Sequence, residues 1–246
     1  DPEAAVECRE EGDILKRLAP QCIEDTGGLF VAVAGDDEDY VARFPALCED
    51  NGIRARELEP GHARELEPLL AETIIAAYEV DDAAVDPFML SLDNLAHALD
   101  LGASVRLGAR AVAFELDAGR AAGVRFVDDA SGTEFAVHAE VVVNAAGAWA
   151  GRVAAMAGPQ IPILYSSGSL LVTQDRLSQR VINRLRKASD ADILVPGGTV
   201  SVLGTTSVDI DDPEHCRPTA AEADRIIEDA RAMMPVLETT DRKSVV

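Results

Sequence analysis

Chemistry in this chain is to be sought where small, hydroxylated or charged residues interrupt apolar runs. The foremost such place is residues 141–149, Val-Val-Val-Asn-Ala-Ala-Gly-Ala-Trp. Its first four residues carry no charge and three are β-branched, which predicts a strand buried on both faces. The small residues after it let backbone come close to whatever lies at the strand's end. In an open α/β sheet that position, beyond the carboxyl end of a strand and before a helix, is where nucleotide cofactors lie. Gly147 permits the turn, and Trp149 opens a helical run through Ala150, Val153, Ala154 and Ala157. A plain strand-turn-helix packed with small residues satisfies the same pattern.

The remaining candidates have plainer readings. Arg184, Arg186 and Lys187 are either phosphate contacts or a solvated basic face. The acidic run Asp36, Asp37, Glu38 and Asp39 reads as a helix N-terminus, because it lacks the loop glycine and final bidentate carboxylate of a calcium site. Cys8, Cys22, Cys48 and Cys216, and His62, His97, His138 and His215, show no ligand spacing. No zinc site, iron-sulfur cluster or other metal is therefore expected.

At 246 residues and 48% hydrophobic content the chain is long enough for one large core or two interlocked ones. No apolar run reaches membrane-span length and the first residues lack signal-peptide features, so a soluble, unexported chain is expected. A net charge of -22, from 44 acidic and 22 basic residues, argues against nucleic acid or an anionic membrane surface as a direct partner. Lysine occurs only at Lys16, Lys187 and Lys243. Excess carboxylate with little lysine points to a high-salt cytoplasm, where counterions screen self-repulsion. A GC-rich genome replaces lysine with arginine too, but leaves the acidity unexplained.

The elements that must position these residues follow from periodicity and punctuation. Asp1-Pro2 opens a helix with Val6, Ile14, Leu15 and Leu18 on its stripe, closed by Pro20. Gly27-Gly28 turns the chain into a strand at 29–33, and the acidic run opens a helix through Val41, Phe44, Leu47 and Cys48. Strands at 53–58 and 73–80 flank a small helix between Pro60 and Pro68. Asp86-Pro87 starts a helix with Phe88, Leu92, Leu95, Ala96 and Leu99 on one face. Three antiparallel strands at 111–116, 123–127 and 134–138 are separated by turn signals at Ala118-Gly119 and Ser131-Gly132. Beyond the Trp149 helix come a strand within 161–173, a hairpin of 191–196 and 199–206, and a helix near Thr219 with Glu222 completing a capping box.

Residues 141–149 resemble the last strand-turn of the FAD-binding domain in the D-amino-acid-oxidase-like flavoprotein superfamily. Helix, three-stranded meander and buried strand also occur in that superfamily's order. The stretch 181–207, Val-Ile-Asn-Arg-Leu-Arg-Lys-Ala-Ser-Asp-Ala-Asp-Ile-Leu-Val-Pro-Gly-Gly-Thr-Val-Ser-Val-Leu-Gly-Thr-Thr-Ser, narrows the resemblance. It is similar to the catalytic A subunits of anaerobic, quinone-linked, FAD-dependent glycerol-3-phosphate dehydrogenases. Leu203-Gly204-Thr205-Thr206 matches an element shared across such dehydrogenases. The likeness continues through Gly28-Leu29-Phe30, Val85-Asp86-Pro87-Phe88 and Asn144-Ala145-Ala146-Gly147 and covers nearly the whole chain. Where the family often has a lysine before Gly168, Ser167 stands here.

The resemblance implies a mixed α/β (α+β) fold in which a partial, Rossmann-like FAD-binding domain is interleaved with an antiparallel-sheet substrate domain. Residues 1–28 would be a helical connector of the FAD domain, 29–84 and 161–240 the substrate domain, and 85–160 FAD domain. It implies oxidation of sn-glycerol 3-phosphate at C2 to dihydroxyacetone phosphate, with hydride passing to the flavin. Main-chain contacts to FAD would come from Val112, Ala145, Ala146 and Gly147, with Trp149 beside them. Gly204, Thr205 and Thr206 would lie at the substrate, although spacing alone equally reads the two threonines as ordinary β-branched residues ending a strand. Electrons would pass to the quinone pool through membrane-anchoring and electron-transfer partner subunits, placing the enzyme at the inner face of the cell membrane. The alternatives are other FAD-dependent oxidases of the superfamily, acting on amino acids or 2-hydroxy acids, and a non-catalytic assembly protein with the FAD fold. The family's Gly-x-Gly-x-x-Gly turn and its Ser-Gly-Val-Arg-Pro arginine segment are expected beyond the two ends of this sequence. Residues 241–246 break the resemblance and match the translation of a sequencing adapter, so they are expected not to be natural.

The charge generates a first prediction. Screening of carboxylate repulsion should raise the melting temperature steeply between dilute buffer and molar potassium chloride. Equal melting temperatures across that range would remove the high-salt reading.

Overall fold

The computed structural model describes residues 2–187, 189 and 192–239. The suggested cap Asp1 and the expected artefactual tail at 241–246 lie outside the described residues. In chain order the first elements are α1 (Pro2–Leu18), β1 (Ile23–Glu24), β2 (Gly28–Val33), α2 (Glu38–Asp50), β3 (Ala55–Leu58), α3 (Pro60–Leu66) and β4 (Ile74–Val80). Next come β5 (Ala84–Val85), α4 (Pro87–Asp100), β6 (Ala109–Asp117), β7 (Arg120–Asp128), β8 (Glu134–His138) and α5 (Ala150–Met156). The last are β9 (Tyr165–Ser167), β10 (Leu171–Val172), β11 (Val181–Arg184), β12 (Ile193–Gly197), β13 (Val200–Gly204), β14 (Val208–Ile210) and α6 (Ala220–Ala230). The chain divides into two compact units, one from the N-terminus to Asp93 with 168–208 and the chain from Arg217, the other of 94–167 and 209–216.

The first unit is built on a seven-stranded sheet of order β10-β13-β12-β11-β2-β4-β3. Side chains alternate across a strand, and β2 shows what that does here. Leu29, Val31 and Val33 point into a cluster with Ile74, Ile182, Leu194, Leu203 and the α6 residues Ala223, Ile226 and Ala230. Ala32 points the other way, against Val41, Phe44 and Cys48 of α2 and Tyr78 of β4, with Phe30 packed alongside. The Phe30 and Phe44 rings lie 4.9 Å apart between centroids, and Phe44 and Tyr78 5.3 Å. Asp37 caps α2 by accepting from the Tyr40 N–H, as the acidic run implied.

Strand β11 runs parallel to β2, with Ile182 opposite Leu29 and Arg184 opposite Val31. By composition 181–187 reads as a basic run, with no strand expected there. A four-residue strand with arginine at its end shows too little alternation to be read locally. Arg184 is not a solvated residue. Its Nε and Nη2 donate to the two oxygens of Asp36 at 2.7 and 2.8 Å, with the two side chains only 9% and 5% exposed. The Val33 N–H also donates to Asp36. Arg186 forms a similar pair with Asp192 at 2.7 Å.

In the second unit β6, β7 and β8 form the expected antiparallel meander. The β6–β7 turn uses Ala118 at φ 48° and Gly119 at φ 81°, the paired positive angles that a two-residue hairpin needs. Phe126 and Phe135 stack at 5.5 Å, and the Arg106 guanidinium sits 4.2 Å from the Phe135 ring centre. Apolar burial is otherwise sparse. Val124 is the single buried apolar side chain of this unit among the described residues.

The expected buried strand at 141–144 is corrected by the structure. These residues adopt no strand, and Val141 and Val143 are 76% and 82% exposed. Local β-propensity supplies the side chains but not the ladder: a strand needs neighbours for its N–H and C=O groups, and the described sheets contain no strand paired to 141–144.

The buried Asp36–Arg184 pair carries the prediction for this unit. Burial by itself would raise the Asp36 pKa, but the hydrogen bonds from Arg184 and the Val33 N–H outweigh it and hold the carboxyl below its usual range. A lowered folded-state pKa means the pair contributes fully above the ordinary carboxyl pKa of about 4, and the contribution is lost as pH falls through the lowered value. Asp36→Asn should therefore destabilise by about 3 kcal/mol at neutral pH. Urea midpoints should show the gap to the unsubstituted chain closing in acid; a pH-independent gap would show that charge pairing is not its cause.

Candidate cofactor and substrate site

The residues expected at the site fall into two sets, one in each unit. The set in the second unit centres on the turn after Asn144. Its side-chain Nδ2 donates to the Ala150 carbonyl at 2.9 Å, while its Oδ1 accepts from the Ala146 N–H at 3.3 Å. Asn144 thus closes the turn, a role its position in the sequence did not disclose. Gly147 holds φ 54° with no atom within 4 Å of where a Cβ would stand. It begins a 3₁₀ turn, Gly147–Trp149, that leads into α5. Small side chains at Ala145, Ala146 and Gly147 leave open main chain on this turn.

Trp149 is committed to its neighbours through its indole N–H, which donates to Glu214 at 2.6 Å. Arg152 donates to the same carboxylate at 3.0 Å and to Asp212 at 2.7 Å, tying residues 212–214 to the helix. Strand β14 pairs with β9, and beyond that pair the Ser167 hydroxyl meets the Cys216 thiol. Ser167, where the family often has lysine, is therefore occupied by a local contact. Val112 falls at a register shift of β6 against β7, between the pairs Ala111–Phe126 and Ala113–Arg125. Such an irregularity takes a residue's main-chain groups out of the ladder.

The set in the first unit lies where β13 ends. The Gly204–Thr205 peptide is cis. Thr206 is buried at 1% exposure, and its hydroxyl is used in both directions: it accepts from the Ser169 N–H at 2.9 Å and donates to Glu222 Oε1 at 3.2 Å. Thr205 is exposed, with its hydroxyl proton directed to the carbonyls of Ser169 at 3.3 Å and Thr206 at 3.0 Å. The two threonines, equivalent by spacing, are different chemically. Gly168 is obligatory beneath them, because a Cβ there would come within 2.6 Å of the Thr205 hydroxyl and 2.9 Å of the Thr206 carbonyl.

Glu222 anchors this second set. Its Oε2 accepts from the Thr219 N–H and hydroxyl at 2.9 and 2.7 Å, completing the capping box of α6. Its Oε1 accepts from Ser169 Oγ at 3.0 Å and from Thr206. The Thr219 hydroxyl is the main cause holding its carboxyl below the ordinary range; burial opposes this, and the remaining hydrogen bonds add to it. The capping box is legible from the Thr219–Glu222 spacing, but the contacts of the other oxygen, across 16 and 53 residues, have no local signal.

Known proteins share this architecture and much of this sequence. Residues 3–245 match the family described as FAD dependent oxidoreductase. The chain is 41% identical over 242 residues to the A subunit of the anaerobic glycerol-3-phosphate dehydrogenase of Escherichia coli (strain K12), covering 98% of this chain and 45% of that protein. It is 37% identical over 246 residues to the A1 subunit of the anaerobic glycerol-3-phosphate dehydrogenase of Haloferax volcanii, covering 96% of this chain and 42% of that protein. The chain thus spans less than half the length of these relatives. Among solved structures, L-proline dehydrogenase from P. horikoshii has a TM-score of 0.81 at 20% identity, covering all of this chain and 66% of that one. That likeness supports the fold.

The contrast between the threonines is testable. Thr206→Val leaves the Ser169 N–H without its acceptor in a buried place and should cost about 1–3 kcal/mol of stability. Thr205→Val should change it by less than about 1 kcal/mol, as at exposed positions generally. Equal urea midpoints for the two variants would show that burial of the Thr206 hydroxyl has been overstated.

Proposed function

Because the chain belongs to the family of FAD dependent oxidoreductases, we propose that it is part of the catalytic A subunit of an anaerobic glycerol-3-phosphate dehydrogenase. The whole protein would oxidise the C2 alcohol of sn-glycerol 3-phosphate to give dihydroxyacetone phosphate. The observation that carries this reading is the identity with two such subunits from distant organisms along nearly the whole chain. Fold likeness alone would not choose it, since a proline dehydrogenase shares the fold.

In this reading Val112, Ala145, Ala146, Gly147 and Trp149 hold FAD, and Gly204, Thr205 and Thr206 line the substrate site. The open main chain around Gly147 suits a large flat cofactor approached through backbone. When bound, the flavin supplies the acceptor for two electrons from the alcohol. Thr205, whose proton is directed to carbonyls, keeps its oxygen lone pairs for a substrate hydroxyl. Thr206 acts from behind, holding the turn. We assign 29–84 and 161–240 to the substrate domain and 1–28 with 85–160 to the FAD domain; by packing, 1–28 and 85–93 group with the first unit and 161–167 and 209–216 with the second.

The relatives are each one lettered subunit of a larger dehydrogenase, which supports the presence of partner subunits. We assign those partners the roles of membrane anchoring and electron transfer to quinone at the inner face of the cell membrane. Among the described residues no helix is long and apolar enough to cross a membrane, so attachment would run through those partners. The acidic composition and a Haloferax relative together support work at high ionic strength.

The exposed, unladdered 141–146 segment and the scant core of the second unit lead to a prediction about this chain as given. Purified and mixed with FAD, it should retain little flavin and show no glycerol-3-phosphate-dependent dye reduction. Stoichiometric yellow cofactor with turnover would show that the site has been misplaced.

A further inference from the structure

Glu222 joins to its helix cap a second task that the cap does not require. One carboxylate oxygen closes the α6 capping box on Thr219, which any glutamate at this helix position does. The other oxygen reaches off the helix to two hydroxyls, Ser169 before β10 and Thr206 after β13. Those two residues are also joined directly, Ser169 N–H to Thr206 Oγ1 at 2.9 Å and Thr206 N–H to the Ser169 carbonyl at 3.4 Å. Thr205 lies between, bonded to the same Ser169 carbonyl and seated on Gly168.

The consequence is directional. A carboxylate oxygen only accepts, so Glu222 obliges the Ser169 and Thr206 hydroxyls to donate to it. Thr206 Oγ1 must then meet the Ser169 N–H with a lone pair, which draws the Ser169 backbone to the turn. The Thr205 proton is directed to the carbonyls of Thr206 at 3.0 Å and Ser169 at 3.3 Å, the two residues whose hydroxyls Glu222 holds. An ionised acceptor makes such bonds stronger than neutral ones. The orientation of Thr205 is thus the last step of a series of hydrogen bonds that starts from the Glu222 acceptor.

We propose that Glu222 is a positioning residue for the substrate-facing Thr205, acting through Ser169 and Thr206. This rests on the functional reading above, in which the Thr205 turn meets glycerol 3-phosphate. The role separates from helix capping because Thr219 shares only the capping half of the network. Removing Thr219 abolishes the cap and leaves the Ser169–Glu222–Thr206 contacts in place, whereas removing Glu222 abolishes both.

The test uses the complete gene product loaded with FAD, in the unsubstituted, Thr219→Ala, Glu222→Ala and Glu222→Gln forms. Flavin absorbance per protein, melting temperature, kcat and KM for glycerol 3-phosphate are measured for each. Thr219→Ala and Glu222→Ala should both melt earlier, and all four forms should hold the same flavin. KM should rise about tenfold in Glu222→Ala, as expected for a misplaced polar contact, with Thr219→Ala within about twofold of the unsubstituted protein. Glu222→Gln, which keeps one accepting oxygen, should recover part of the KM loss. Equal KM values for Thr219→Ala and Glu222→Ala would overturn the positioning role and leave Glu222 a cap. Failure of glycerol 3-phosphate to bleach the flavin of the unsubstituted protein would instead overturn the functional reading, and the proposal with it.

Discussion

Burial of both faces of β2 is the constraint on which the first unit depends. Leu29, Val31 and Val33 complete one cluster and Ala32, with Phe30, the other, so the strand offers no face for a charge. Each large apolar side chain so buried contributes on the order of 2 kcal/mol. Position adds to burial, since β2 joins the β10-β13-β12-β11 side of the sheet to β4-β3. Charge is pushed to the margins: Asp36 just beyond β2 meets Arg184 at the end of its parallel neighbour β11. A pair so little exposed is costly to desolvate, and it persists because three donors from Arg184 and Val33 satisfy the carboxylate.

The second unit shows the opposite balance. Its meander is laddered and its turns are sound, yet apolar residues such as Leu107, Val141, Val143 and Leu164 stand exposed. Strand pairing satisfies backbone groups without burying much side-chain surface, and a sheet stacked on little else has nowhere to place its valines. Under the proposed function, these are side chains that the remainder of a longer FAD-binding protein covers. The turn at Asn144–Gly147 does not wait for that cover, because Asn144 closes it with its own side chain.

Around Thr205 the governing factor is hydrogen-bond direction. Every hydroxyl in the group has one proton to give, and the Glu222 carboxylate decides where several of them go. A buried Thr206 is therefore tied to the fold by chemistry as well as by packing. The exposed Thr205 beside it is left with lone pairs to offer. Two adjacent residues of one type thus differ in both burial and hydrogen-bond partners.

Much of this was legible locally. The short apolar strand β2, the Asp37 cap, the Asp86 helix start, the Ala118-Gly119 hairpin and the Thr219–Glu222 capping box all follow from residues within a few positions of one another. So did the mixed α/β class and, through the long stretch at 181–207, the flavoprotein family. What only the tertiary structure decided lies across long separations. Arg184 finds Asp36 at a distance of 148 residues, and Glu222 finds Ser169 across 53. The run at 141–144 has the composition of a buried strand and no ladder to join. Propensity and capping are properties of neighbouring residues and can be read from order alone. Burial, ion pairing and strand partnership depend on which distant segments share a place, and that is set only when the chain is folded.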